Sequence, residues 1–174
     1  MIRSSKLRLL APALWMVVLL SGAACAGADG AQPADAVTAR DLDRTFKKST
    51  LQIATPDAKL HPFNVWIADD EQHRNRGLMF IRQLRADDGM LFIYPQPQTI
   101  AMWMKNTFVP LDMLFVAADG KVAHVVQNTV PQSLKTIESG GPVLAVVELP
   151  AGTVQRLKIG PGAQVIHATF APQR

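Results

Sequence analysis

The sequence predicts a mainly β domain, a sandwich or barrel of short strands with one or two short helical pieces. Three observations lead there. Apolar or alternating segments recur from Leu51 to Phe170, separated by Pro, Gly and Asp-Gly turn signals. The 174 residues are 48% apolar, enough to build a core. The single cysteine leaves no disulfide framework, no thioredoxin-type pair and no thiolate zinc cage.

The elements are taken in chain order. Arg3, Lys6 and Arg8 precede the apolar stretch Leu9 to Leu20, which is too short to span ~30 Å of hydrocarbon comfortably. Small residues then supply two A-x-A-like sites, at Ala24-Cys25-Ala26 and Ala26-Gly27-Ala28. Residues 1–26 therefore read as a secretory signal peptide, which places the mature chain in the periplasm or outside the cell. Cys25 has a second reading, the lipidated first residue of a bacterial lipoprotein, although Gly22 stands where such sites usually carry Leu. Membrane attachment is expected only in that case. Residues 27–49 are poor in large apolar groups and read as a flexible linker.

A single domain is expected over residues 50–174. Its strands are Leu51 to Thr55, Phe63 to Ala68, Met90 to Tyr94, Thr99 to Met104, Asp112 to Ala117, Lys121 to Val126, Val143 to Leu149 and Gln164 to Phe170. Asp119-Gly120 is a two-residue hairpin signal between the fifth and sixth of these. A helix is expected from an N-cap at Asp69 or Asp70 to about Leu78. Glu71 sits in its first turn, Arg74 and Arg76 near its end, and Gly77 is placed to terminate it. A second helical turn covers Thr153 to Leu157.

Charge excludes one class of partner. Loss of the signal removes three bases and leaves 15 against 14 acidic residues, a net charge of about +1. No basic block follows residue 48, so the electrostatic footprint of a nucleic-acid binder is missing.

The densest motif set runs from Arg76 to Phe115. It comprises Arg76-Gly77-Leu78-Met79-Phe80, Asp88-Gly89-Met90-Leu91-Phe92, Trp103-Met104-Lys105-Asn106-Thr107 and Pro110-Leu111-Asp112, with Val147-Glu148-Leu149-Pro150-Ala151-Gly152 later in the chain. This order resembles the "domain of unknown function 192" family, small proteins often exported in bacteria. The resemblance implies a compact β-sandwich of jelly-roll type with a helix packed on it. The family has no established activity, so no catalytic residues are carried over. In one departure, Ile81 stands where the family often has Arg, with Arg82 next.

Read chemically, Arg76, Lys105, Asn106, Thr107 and Asp112 form a candidate ligand-binding cluster. Lys105-Asn106-Thr107 ends an apolar strand, where such side chains cap the local backbone or face a ligand. Asp112 opens an apolar strand and is expected to pair with Arg76 or Lys105. Glu148 interrupts an apolar run, and a buried carboxylate needs a partner or a raised pKa.

Two alternatives compete with binding. Asp112 and Glu148 could form the carboxylate pair of a hydrolase, given a separation of about 5 to 9.5 Å. Met102 and Met104 share one face at strand spacing, and their thioethers suit Cu(I), although methionines commonly just fill an irregular core. His61, His73, His124 and His167 lack metal-ligand spacing, and there is no nucleophile elbow or phosphate-cradling glycine loop. The expectation is thus an extracytoplasmic module for a small polar ligand or an envelope partner. No cofactor and no metal is expected, and an enzyme is disfavoured.

Overall fold

A computed structural model describes residues 39–171. The expected signal peptide, Cys25 and residues 27–38 of the expected linker lie outside the described residues. Seven strands form one sheet in the order β5-β4-β6-β3-β2-β1-β7. They are β1 (Lys47–Ala54), β2 (Leu60–Ala68), β3 (Asp88–Met102), β4 (Leu111–Val116), β5 (Val122–Val126), β6 (Ile137–Pro150) and β7 (Gln164–Ile166). Three helices accompany them: α1 (Ala39–Thr45), α2 (Glu71–Arg76) and α3 (Thr153–Leu157). All neighbours are antiparallel except β2 and β3, whose parallel crossover contains α2.

The sheet curls until its edges meet. Lys121 bridges Gln164, Val122 N–H donates to Ala163 O at 2.9 Å, and Val165 N–H donates to Gly120 O at 2.8 Å. Curling gives the sheet two apolar faces, and the strands alternate between them. The inner face gathers Leu51, Phe63, Val65, Leu91, Leu114 and Val147. The outer face carries Trp66, Met90, Phe92, Met113, Phe115 and Val146, in one cluster with Leu42, Phe46, Leu78 and Ile81. The expected mainly β fold with short helices holds, and opposite walls of the rolled sheet face each other as the layers of a sandwich do.

Several boundaries differ from expectation; β6, for one, begins at Ile137 and not at Val143. Residues 39–49, read as linker, form α1 and the start of β1; Leu42 and Phe46 are buried against Trp66. Two expected strands merge into the long β3, with Pro95 and Pro97 inside a register shift between Ile93 and Gln98. A shifted ladder accommodates residues that cannot donate an N–H. The last expected strand stops at Ile166, and Ala168–Phe170 forms a 3-10 turn.

Candidate functional site

Glu148 lies on β6, in the body of the sheet. It pairs across one side with Met90 of β3 and across the other with Met113 of β4. Paired residues share a face, so the carboxyl sits on the outer face between two methionines. It is 4% exposed, and no hydrogen-bond or ion-pair partner reaches it among the described residues. Burial alone pushes its pKa up to about 8. The backbone is tight there: a Cβ on Gly89 would lie 2.5 Å from the Glu148 carbonyl oxygen.

This carboxyl forms part of the lining of a cleft of about 390 Å³. One wall is the end of α2 and the turn after it, with Arg74, Asn75, Arg76, Gly77 and Met79. The facing wall is β3 and its exit, with Phe92, Tyr94, Met102, Trp103, Lys105 and Thr107. Local sequence explains the first wall. Asp70 caps α2 by accepting from His73 N–H at 2.8 Å. Gly77 ends the helix at φ 45°, where a Cβ would come within 3.1 Å of the Phe92 ring. The chain then turns at Phe80, whose φ of 68° is unusual for a bulky residue, and its N–H donates to Asn106 O at 2.7 Å.

The cations of the cleft are held by backbone and rings. Arg74 donates to Ile93 O at 2.9 Å and lies 5.1 Å from the Tyr94 ring centre. Arg76 donates to Met79 O and lies 5.2 Å from the Phe80 ring centre. Lys105 sits 5.0 Å from the ring centre of Trp103, which is 50% exposed. Burial lowers the Arg76 pKa, opposed by the field of Asp41. Burial also raises that of Tyr94, so its hydroxyl stays neutral well past pH 8; this hydroxyl contacts the Met102 sulfur at 3.7 Å.

Of the five cluster residues, Arg76, Lys105 and Thr107 come together on the cleft. Asn106 serves the turn beside it, with φ 55° and its carbonyl accepting from Phe80. Asp112 does not join them, which corrects the expected pairing with Arg76 or Lys105. Its cross-strand partner is Leu149 of the inner cluster, so it points to the other face of the sheet. There, fully buried, it accepts from Asn128 N–H and Val154 N–H, both at 2.9 Å.

The same parity removes the hydrolase pair, because Asp112 and Glu148 face opposite sides of the sheet. The copper reading loses Met104, which is fully buried with its sulfur 3.2 Å from the Thr129 hydroxyl. Among the described residues only Asp69, Asp70 and His73 could converge on a metal ion. His73 Nδ1 already faces Asp70 at 2.6 Å and Nε2 faces Thr45 O at 3.0 Å. Ser49 Oγ and His167 Nε2 meet at 3.0 Å, in the manner of a nucleophile and its base. Thr169 N–H donates to Nδ1, however, which leaves Nε2 protonated and unable to accept the serine proton.

A second, wider groove of about 720 Å³ is lined by Asp43, Lys48, Trp66, Arg85 and Asp88, among others. Its charges are largely matched internally: Lys48 pairs with Asp43 at 2.6 Å, and Asp43 also accepts from Trp66. In the Glu148 cleft, Arg74, Arg76, Lys105 and Glu148 have no ion-pair partner among the described residues. Sequence reasoning named Arg76, Lys105 and Thr107 but missed Arg74, Tyr94 and Trp103 as wall residues. The available signal was Glu148 itself, a lone carboxylate in an apolar strand.

The model of the domain of unknown function 192 family, described as an uncharacterized ACR, matches residues 52–167. The chain belongs to this family. Domain of unknown function 192 thus spans nearly the whole described fold, including both walls of the cleft. A crystal structure of a candidate transcription regulator from Sinorhizobium meliloti 1021 is similar at 42% identity and a TM-score of 0.70, covering 71% of this chain and 96% of that one. A protein of unknown function from Novosphingobium aromaticivorans DSM 12444 is similar at 32% identity and a TM-score of 0.68, covering 70% and 86%. No curated protein matches the chain.

Proposed function

We propose that this protein is an extracytoplasmic module that binds a small polar ligand in the Glu148 cleft. The carrying observation is Glu148 itself: a carboxyl 4% exposed, unpartnered among the described residues, and lining a cleft that also holds Arg74, Arg76, Lys105, Tyr94 and Trp103. A buried polar group without a partner costs stability, and such costs concentrate where a ligand completes the bonding. The volume of about 390 Å³ lies in the range of small-molecule sites. The transcription-regulator role named for the Sinorhizobium relative, if it involved contact with nucleic acid, has little support in this chain, whose lysines and arginines show no basic run after residue 48.

Thermal-shift screening of the full chain against sugars, amino acids and cell-wall fragments tests the binding reading. A ligand at 100 times its Kd adds about 2.7 kcal/mol. The expected result is a stabilising compound whose effect is lost in Trp103→Ala. Compounds that stabilise both proteins alike would place binding elsewhere. For location, mass spectrometry of the natural protein is expected to find an N-terminus near Ala26, or a modified Cys25. An intact Met1 in a cytoplasmic fraction would refute it.

A further inference from the structure

The unmatched charges of the cleft specify the class of ligand, an inference that rests on the binding reading above. Elsewhere on the described surface cations commonly meet carboxylates: Lys47 and Asp69 at 3.3 Å, Lys59 and Asp57 at 2.8 Å, Arg85 and Asp87 at 3.4 Å, Lys121 and Asp119 at 3.5 Å. Around the cleft that pattern stops. Arg74, Arg76 and Lys105 are anchored by carbonyl oxygens or aromatic rings, which fix their positions without neutralising them. No carboxylate lies within salt-bridge distance of these three among the described residues. Glu71 is the one other acid on the lining; it is exposed, and it opens α2 while the arginines close it.

The Glu148 carboxyl adds to this pattern. Buried between Met90 and Met113, it is held as the neutral acid and so offers an O–H donor to the cleft. Three fixed cations and one acid O–H all present donors, while Trp103 offers a half-exposed ring on the same wall. Arginine forks select planar oxyanions by paired N–H contacts, and aromatic faces accommodate the apolar faces of rings.

We propose that the cleft binds a ring-sized small molecule bearing an oxyanion, a carboxylate or a phosphate. Its anionic oxygens are held by Arg74, Arg76 and Lys105, with the Glu148 O–H as a further donor to the same molecule. Acidic sugars and sugar phosphates carry this chemistry.

The test is an NMR titration of the full chain with four probes at matched concentration and ionic strength: glucuronate, glucose 6-phosphate, glucose and glucosamine. The readouts are the Gly77 and Thr107 amides and the Trp103 indole. One or both anionic probes are expected to shift these signals at least ten times more tightly than glucose, with glucosamine weaker still. Which anion binds tighter separates a carboxylate ligand from a phosphate one. Lys105→Gln, at an exposed position that leaves folding intact, is expected to weaken the anion at least tenfold, and Lys105→Arg to restore most of it. Glucose binding the cleft as tightly as the anions would overturn the oxyanion inference and leave the binding reading standing. No response at the cleft to any probe would overturn both.

Discussion

Replacing Glu148 by Gln should stabilise the protein, and by an amount that depends on pH. The unfolded chain gives up this proton near 4.5, whereas the folded protein holds it to about 8. Below pH 4.5 both states are protonated and the carboxyl makes no difference. Between the two values the unfolded state ionises first, so stability drains away as pH rises. Each pH unit in that window costs about 1.4 kcal/mol. The loss is about 3 kcal/mol at pH 7 and levels off near about 5 kcal/mol above pH 8. Gln keeps the shape and carries no charge to desolvate, so it escapes the loss. For a domain of this size about 3 kcal/mol corresponds to roughly 10 °C in Tm.

The assay is chemical denaturation of both proteins from pH 4 to 9, taking the difference so that other titrating groups cancel. The expected curve starts near zero at pH 4, favours Glu148→Gln increasingly, and flattens past pH 8. A variant less stable than the wild type at pH 7 would refute the reasoning, since that is the signature of an ionised Glu148 paired with Arg74. A flat difference would show that the carboxyl titrates normally in the folded state.

Three further outcomes are expected of the same structure. Asp112→Ala takes the acceptor from the buried Val154 N–H and the partly buried Asn128 N–H, and should cost about 1–3 kcal/mol by denaturation; a double-mutant cycle of Asp112 with Arg76 should give coupling within about 0.5 kcal/mol of zero. Phe46→Ala should cost about 3–5 kcal/mol, because α1 and its exit are packed into the outer cluster; a cost near zero would return residues 39–49 to the role of a tether. Anion affinity in the cleft should fall as pH rises through about 8 and Glu148 turns from donor to anion. Burial keeps the Tyr94 hydroxyl neutral across that range, so affinity unchanged to pH 9 would argue that Glu148 does not touch the ligand.

The strands are legible because period-two alternation survives in Phe63, Val65 and Ile67, and because Asp119-Gly120 announces its hairpin. β3 reads as two pieces because Pro95 and Pro97 look like a stop, and only the partner strand reveals a shifted ladder that tolerates them. α1 escapes notice because, among its described side chains, only Leu42 is buried, with Phe46 after it, in a stretch otherwise rich in charge. At the site, Glu148 can be singled out as a carboxylate in the wrong place, but its face cannot. The parity that separates Asp112 from Glu148 is set by the β4–β6 register, a long-range property with no local trace. Arg74 and Arg76 read as favourable charges at a helix end, which they are, and the ring contacts that aim them at the cleft come from β3 and from the turn at Phe80.

The central claim is that Glu148 is a neutral acid at the cleft, ready to donate to a bound anion. The most direct measurement is the carboxyl-carbon NMR titration of Glu148, assigned by its loss in Glu148→Gln, with and without glucuronate. The account predicts a midpoint near pH 8 for the free protein, moving higher when the anion is bound. A midpoint in the ordinary glutamate range, near 4.5, would contradict it.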